Sequence, residues 1–223
     1  MTKKLFLQAL LWFLSGVMAL FALVFFPAGT LNYPCGWLFM LVVFAPMLLT
    51  GIVLMKQNPQ LLQKRLSTKE KLGTQQLVIR LSGLMFIAGF VLSGLDYRFG
   101  WTQLPVWLSL LAAAAYLLGY ALYAEVLREN AYVSRTVEVQ EGQHVVDTGL
   151  YAIVRHPMYS ATLILFLSMP LMLGSALSFL CFLAYPAIIA KRIESEEALL
   201  EAELEGYAAY KQKVRCKLIP YLW

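Results

Sequence analysis

Two clusters of polar residues flank a long segment without charges, and their side chains are of the types that bind ligands. The first cluster, Gly149–Tyr159, contains an arginine, a histidine and two tyrosines. The second cluster, Arg192–Glu197, contains an arginine and three glutamates. Charged side chains next to a bilayer are costly to place, so paired clusters at the two ends of an apolar segment indicate a functional site.

The second cluster has a spacing that brings a base and an acid together. Arg192 and Glu196 are four residues apart and share one helix face, and Glu197 lies beside them. A guanidinium can hold a carboxylate through two parallel hydrogen bonds, and a glutamate can orient that guanidinium or face a cation. A solvent-exposed ion pair worth about 0.3 kcal/mol explains the same spacing, so both interpretations remain open.

The first cluster predicts a charged turn at the start of a helix. Pro157 follows His156, and proline is common at the first helical position. Gly149 precedes Tyr151 and allows the backbone to approach a ligand closely. Arginine and tyrosine also suit lipid headgroups, so ligand binding and interfacial anchoring are both open interpretations.

The composition is typical of an integral membrane protein. Hydrophobic residues make up 60% of the 223 residues and charged residues only 14%, whereas soluble domains are about one quarter charged. The net charge of +5 then indicates membrane topology rather than binding to nucleic acid. The three cysteines are far apart and the two histidines are too few for a multi-histidine site, so no metal site is predicted.

Apolar stretches predict an all-α integral membrane protein with about six spans. Four of them are long enough to cross about 30 Å of hydrocarbon as helices: Leu5–Phe26, Trp37–Met55, Leu77–Leu95 and Leu104–Ala124. The first is too long for a signal peptide and is expected to remain as a span. Pro157–Ala190 would be about 50 Å long as one helix, so it predicts a hairpin of two short spans with its tip near Gly174.

Basic residues concentrate on alternate loops, which predicts the orientation of the chain. The positive-inside rule places both termini and both polar clusters in the cytoplasm, and the lack of other targeting signals favours the plasma (inner) membrane. Lys191–Val214 predicts a charged helix in the cytosolic tail. The expected division is a four-span membrane region, residues 1–127, and a catalytic region, residues 128–223, with a cofactor loop, the hairpin and the tail helix.

Two shorter segments carry local predictions. Asn58-Pro59 followed by Gln60–Leu66 predicts a short amphipathic helix at the interface, with a solvated basic loop as the alternative. Val137 and Val139 alternate with polar residues before a Glu-Gly turn, which predicts a small β-like hairpin.

Taken together, the two clusters resemble one protein family. The pattern Gly149-x-Tyr151-x-x-x-Arg155-His156-Pro157-x-Tyr159, preceded by His144 and followed by Arg192-x-x-x-Glu196-Glu197, is similar to that of the isoprenylcysteine carboxyl methyltransferase family. Related phospholipid N-methyltransferases share parts of it. The closing segment, Gly206-Tyr207-x-x-Tyr210-x-x-x-Val214, also matches. The resemblance extends from about Arg128 to the C-terminus.

The resemblance implies S-adenosylmethionine as the methyl donor and a lipid-like or apolar acceptor reached from the membrane lipids. By position, it implies that Arg192 and Glu196 face the reacting centre. The implied cofactor-binding residues are His144, Gly149, Leu150, Tyr151, Arg155, His156, Pro157, Tyr159 and Glu197. Arg192 would clamp an acceptor carboxylate, and Glu197 would bind the donor's ammonium group. With an amine acceptor, Glu196 becomes the candidate proton acceptor.

The chain also departs from the family pattern, and two other functions compete. Many members have proline at the position of Leu150, and some have Phe-Gly where this chain has Leu204-Glu205-Gly206, which leaves the acceptor open. A sterol-reductase-like enzyme using a nicotinamide cofactor is the first alternative, although two adjacent glutamates would repel its phosphates. A transporter or scaffold is the second, although transporters place polar groups near the bilayer midplane.

Overall fold

The computed structural model of the chain describes residues 3–66, 73–133 and 139–223. Within these residues the regular elements are all helices, which confirms the predicted all-α class. The helices are α1 (Lys3–Ala28), α2 (Pro34–Gln57), α3 (Pro59–Leu66), α4 (Gly73–Phe99), α5 (Val106–Glu129), α6 (Pro157–Met172), α7 (Ala176–Phe182), α8 (Tyr185–Glu203) and α9 (Tyr207–Lys213). A single 3₁₀ turn, Gly149–Ala152, lies between α5 and α6.

Five segments in the described part of the chain are long and apolar enough to cross a membrane. They are Leu5–Ala28, Pro34–Gln57, Gln75–Phe99, Val106–Glu129 and Ala176–Glu203. The sixth apolar segment is α6, which has 16 residues and is therefore about 24 Å long. These helices support a multi-pass membrane protein built, as predicted, from four long helices and a shorter hairpin.

The hairpin tip forms where glycine and serine interrupt the apolar segment. After α6 ends at Met172, Gly174 adopts a φ of 77°, a left-handed conformation that favours glycine. Ser175 then caps α7, and its hydroxyl oxygen accepts a hydrogen bond from the Ser178 N–H at 3.1 Å. The predicted tip near Gly174 is therefore confirmed.

Polar contacts tie this tip to the end of the bundle opposite the start of α6. The Ser175 hydroxyl donates to the buried carboxylate of Asp96, near the end of α4. The Tyr33 hydroxyl, just before α2, donates to the Leu173 carbonyl. The hairpin therefore reaches as far as the α1–α2 and α4–α5 connections, although α6 is shorter than its neighbours.

The C-terminal tail differs from its prediction as one helix over Lys191–Val214. Lys191 lies inside α8, which begins in the hairpin and continues to Glu203. The chain then turns through Gly206, whose φ is 85°, and begins α9. A left-handed residue cannot continue a right-handed helix, which is why the tail is divided at this position. Arg192 and Glu196 are consequently carried by the second arm of the hairpin itself.

Glycines allow neighbouring helices of the bundle to pack closely. A side chain at Gly94 on α4 would lie 2.5 Å from the Val24 carbonyl oxygen of α1. At Gly119 on α5, a side chain would lie 3.0 Å from Ile164 on α6. Close backbone approach at small residues is a common means of association between membrane helices. It fixes α6, and therefore the first polar cluster, against α5.

The remaining predictions have mixed outcomes. The segment after Asn58 is helical, with Leu61 and Leu62 buried, which favours the amphipathic helix over a solvated loop. The predicted β-like hairpin includes Val137, which lies outside the described residues. The division into residues 1–127 and 128–223 stays a prediction, and one buried apolar cluster contains side chains from both parts.

Candidate active site

The loop before α6 is held by a glutamate at the end of α5. The Glu129 carboxylate accepts hydrogen bonds from the Thr148 hydroxyl and from the Leu150 N–H, each at 3.1 Å. Gly149 lies between these donors with a φ of 48°, and a side chain there would overlap the Glu129 carboxylate. Glycine suits this position because its φ is left-handed, and because the Glu129 carboxylate would have to move to admit a side chain.

A buried ion pair joins the first polar cluster to the second. Arg155 Nε donates to Glu197 Oε1 at 2.7 Å, and His156 Nε2 lies 3.1 Å from the same oxygen. Arg155 Nη1 donates to the carbonyls of Val214 and Arg215, both at 2.8 Å. One guanidinium thus connects the start of α6, the middle of α8 and the segment after α9.

The C-terminal segment also pairs with the start of α6 through its backbone. The N–H groups of Arg155 and His156 donate to the carbonyls of Cys216 and Lys217, both at 2.9 Å. Lys217 Nζ lies 3.7 Å from Glu197 Oε2, beside the buried ion pair. These contacts hold α9 and the residues after it against the hairpin.

A second polar group, nearer the membrane part of α8, is bridged by a tyrosine. The Tyr159 hydroxyl accepts a hydrogen bond from Arg192 Nε at 2.8 Å and donates one to Glu196 Oε2. Tyr159 is buried, and Arg192 and Glu196 are partly buried. The two residues of the predicted pair are therefore linked through a third residue, and neither is fully exposed to solvent.

Both groups line one cleft between the loop, α8 and α9. Its empty space, including the part open to solvent, is about 850 Å³. Its polar and aromatic walls include Asn130, Tyr132, His144, Tyr151, Arg155, His156, Tyr159, Arg192, Glu196, Tyr207 and Tyr210. Its apolar walls include Val133, Val145, Val146, Met158, Leu200 and Leu204. The cleft can thus receive a ligand with both polar and apolar parts.

Most of the cleft residues lie in a part of the chain that matches a known family. Residues 107–202 match the model of the isoprenylcysteine carboxyl methyltransferase (ICMT) family. The matched stretch contains both polar clusters, so the predicted resemblance is confirmed, and it implies membrane methyltransferase activity. No curated protein matches the chain. The ICMT match lends no support to the reductase alternative.

The cleft brings together most of the site residues that the ICMT resemblance implied. His144, Tyr151, Arg155, His156, Tyr159, Arg192 and Glu196 all line it. Gly149, Leu150, Pro157 and Glu197 are outside its lining. Gly149 and Leu150 lie against Glu129, and Pro157 begins α6. The Glu197 carboxylate lies behind the wall of the cleft, where Arg155 and His156 contact it.

Two tyrosines of α9 line the cleft although the sequence analysis gave them no role. The Tyr210 hydroxyl donates to the Tyr151 carbonyl at 2.7 Å. The Tyr207 hydroxyl is buried and has no hydrogen-bond partner within residues 3–66, 73–133 and 139–223. Burial, reinforced by the nearby Glu197 and Glu196 carboxylates, raises the pKa of Tyr207, so its hydroxyl stays protonated at neutral pH. Their signal in the sequence was the closing Gly-Tyr-x-x-Tyr segment of the ICMT-like pattern.

Proposed function

We propose that the protein transfers a methyl group from S-adenosylmethionine to the carboxylate of a lipidic or apolar acceptor, at the cytosolic face of the membrane. The observation that carries the proposal is the Tyr159 hydroxyl, which bridges Arg192 and Glu196 in the wall of the cleft. The ICMT family match supports methyl transfer as the reaction.

The cleft has the properties that the methyl donor requires. S-adenosylmethionine supplies a methyl group on a positively charged sulfur, which is already activated for transfer. The unpartnered Tyr207 hydroxyl offers a buried donor in the lining, and the apolar and aromatic walls offer surfaces for an adenosine. The residues proposed to contact the donor are His144, Tyr151, Arg155, His156 and Tyr159. Gly149, Leu150, Pro157 and Glu197 are proposed to position them.

Arg192 is proposed to hold the acceptor. A planar guanidinium matches a carboxylate through two hydrogen bonds, and the bond from Nε to Tyr159 fixes the plane of this one. An ionised carboxylate needs no general base, so the residues mainly have to align the reactants and exclude water. Glu196, oriented by Tyr159, provides negative charge for the cationic donor.

The route of the acceptor follows from the position of α8. Arg192 and Glu196 lie within Ala176–Glu203, a segment apolar enough to span the membrane. A lipidic tail can therefore remain among the apolar helices while its polar end reaches Arg192. The loop charges favour the cytosolic side for this end, because basic residues concentrate on the same alternate loops as the two clusters.

The Arg192→Ala variant tests this assignment. Turnover should fall at least a hundredfold, while binding of S-adenosylhomocysteine stays within about threefold, because the guanidinium serves the acceptor. Lys191→Ala is the matched control, since Lys191 is exposed and its ion pair, within the described residues, is with Glu194 at 3.4 Å. Turnover of Arg192→Ala within a few-fold of the wild type would show that Arg192 is not the acceptor clamp.

A further inference from the structure

The two tyrosine hydroxyls of α9 differ in a way that points to a ligand. Tyr207 and Tyr210 both line the cleft and are both buried. The Tyr210 hydroxyl is satisfied by the Tyr151 carbonyl, whereas the Tyr207 hydroxyl has no partner in the described part of the chain. Proteins rarely bury a hydroxyl unpaired, because the group loses its bonds to water and gains none in return. A ligand in the cleft would supply the missing partner.

Arg155 indicates the chemical type of that partner. Its Nε donates to Glu197 and its Nη1 donates to two backbone carbonyls, and none of these bonds involves the Nη2 amino group. Arg155 and Tyr207 both line the same cleft, and their side chains carry N–H and O–H donors. Two donors are suited to a ligand group that only accepts hydrogen bonds, such as a carboxylate.

The charges beside the cleft include a cation that can attract an anionic group. Beside the cleft, the Glu197 carboxylate is contacted by two cationic side chains, Arg155 at 2.7 Å and Lys217 at 3.7 Å. These two cations balance the carboxylates of Glu197 and Glu196, and Arg155 is the cation that acts on Tyr207. An anionic group bound beside Tyr207 would be attracted to the Arg155 guanidinium.

We propose that the Tyr207 hydroxyl donates a hydrogen bond to the carboxylate of the methyl donor's amino-acid moiety, beside Arg155. This inference rests on the proposed function, since it assigns one part of the same donor. It places the amino-acid end of the donor against α9 and leaves the Arg192–Glu196 end of the cleft for the acceptor. The raised pKa of Tyr207 is consistent with a neutral hydroxyl that donates at neutral pH.

Titration calorimetry with two ligands tests the assignment on the purified full-length protein. S-adenosylhomocysteine contains the amino-acid moiety, and methylthioadenosine lacks it. Tyr207→Phe should weaken S-adenosylhomocysteine binding about tenfold to a hundredfold, the range for a hydrogen bond to a charged group. It should leave methylthioadenosine binding unchanged, and it should not lower the thermal unfolding temperature of the unliganded protein, because it removes an unpaired hydroxyl.

Tyr210→Phe is the matched control on the same helix. It removes a hydroxyl that is bonded within the protein, so it should lower the thermal unfolding temperature and leave the ratio of the two affinities unchanged. If Tyr207→Phe weakened the binding of both ligands equally, or of neither, the carboxylate assignment would be overturned while the proposed function would stand. Absence of saturable S-adenosylhomocysteine binding by the wild type would overturn the proposed function and this inference with it.

Discussion

Glu197 accepts a hydrogen bond from Arg155 at 2.7 Å, although 42 positions separate the two residues in the chain. Both side chains are almost fully buried, at 6% and 4% exposure. Because Arg155 precedes α6 and Glu197 lies on α8, this contact closes the base of the hairpin. It explains how two clusters that are distant in sequence form the walls of one cleft.

Loss of this ion pair should strongly destabilise the protein. Glu197→Ala leaves the Arg155 guanidinium buried without its carboxylate, which typically costs about 3–5 kcal/mol of unfolding free energy. Denaturant unfolding in detergent measures the change. Glu201→Ala is the control, because its pair with Lys211 is partly exposed and should contribute less than about 1 kcal/mol. Equal effects of the two substitutions would show that the buried pair has no special structural role.

Gly149→Ala should loosen the loop that precedes α6. The substitution forces an L side chain into a left-handed conformation, at about 1–2 kcal/mol, and it also displaces the Glu129 carboxylate from the Leu150 N–H. We expect a lower thermal unfolding temperature and weaker S-adenosylhomocysteine binding.

Gly142→Ala provides the matched control for this effect. Gly142 lies in the same loop with a φ of 70°, but nothing lies within 4 Å of the position of an added side chain. Gly142→Ala therefore introduces the unfavourable left-handed backbone conformation without displacing a neighbouring side chain. If both variants weakened ligand binding equally, the contact of Gly149 with Glu129 would be unimportant for the cleft.

Tyr159→Phe should separate turnover from stability. Without the hydroxyl, Arg192 and Glu196 lose the group that aligns them, and misalignment of this kind typically lowers kcat about a hundredfold. Tyr185→Phe removes a hydrogen bond of 2.8 Å to Thr162, between the same two helices but outside the cleft lining. Tyr185→Phe should lose about as much unfolding free energy as Tyr159→Phe, while its kcat stays at the wild-type value. A parallel fall of kcat in both variants would indicate that Tyr159 acts only through stability.

The orientation in the membrane can be tested by labelling. In a cysteine-free background, Thr30→Cys, in the exposed α1–α2 connection, should react with an impermeant maleimide in intact cells. Glu141→Cys, in the exposed loop before α6, should react only after the membrane is permeabilised. The opposite pattern would place the cleft outside the cytoplasm.

Much of the fold could be predicted from local patterns in the sequence. The lengths of the apolar segments predicted the spans, and Gly174, near the middle of Pro157–Ala190, predicted the hairpin tip, because the backbone freedom of glycine is a local property. The continuity of α8 was missed because the charges that begin at Lys191 do not end the helix. The break between α8 and α9 was also missed, because it depends on the left-handed conformation of Gly206, which the sequence alone does not reveal.

The site was predicted less completely, since its contacts are tertiary. The family resemblance implied the cleft residues Arg155, His156 and Tyr159. It did not reveal the hydrogen bond from the Leu150 N–H to Glu129 or the unpaired Tyr207 hydroxyl, because both depend on how distant segments meet. Glu197 illustrates the limit of the residue pattern. A glutamate in this position can bind a ligand cation or an internal arginine, and only the fold places its carboxylate beside Arg155.

Methyl transfer to a lipidic carboxylate is tested most directly with labelled methyl groups. The purified protein is incubated with S-adenosylmethionine labelled on its methyl group and a lipid extract, and the label is followed into the organic phase. We expect incorporation to depend on Arg192, and we expect the label to be released as methanol by mild base, as for a carboxyl methyl ester. Label that is stable to base would contradict the carboxylate acceptor, and the absence of any incorporation would contradict the proposed methyl transfer itself.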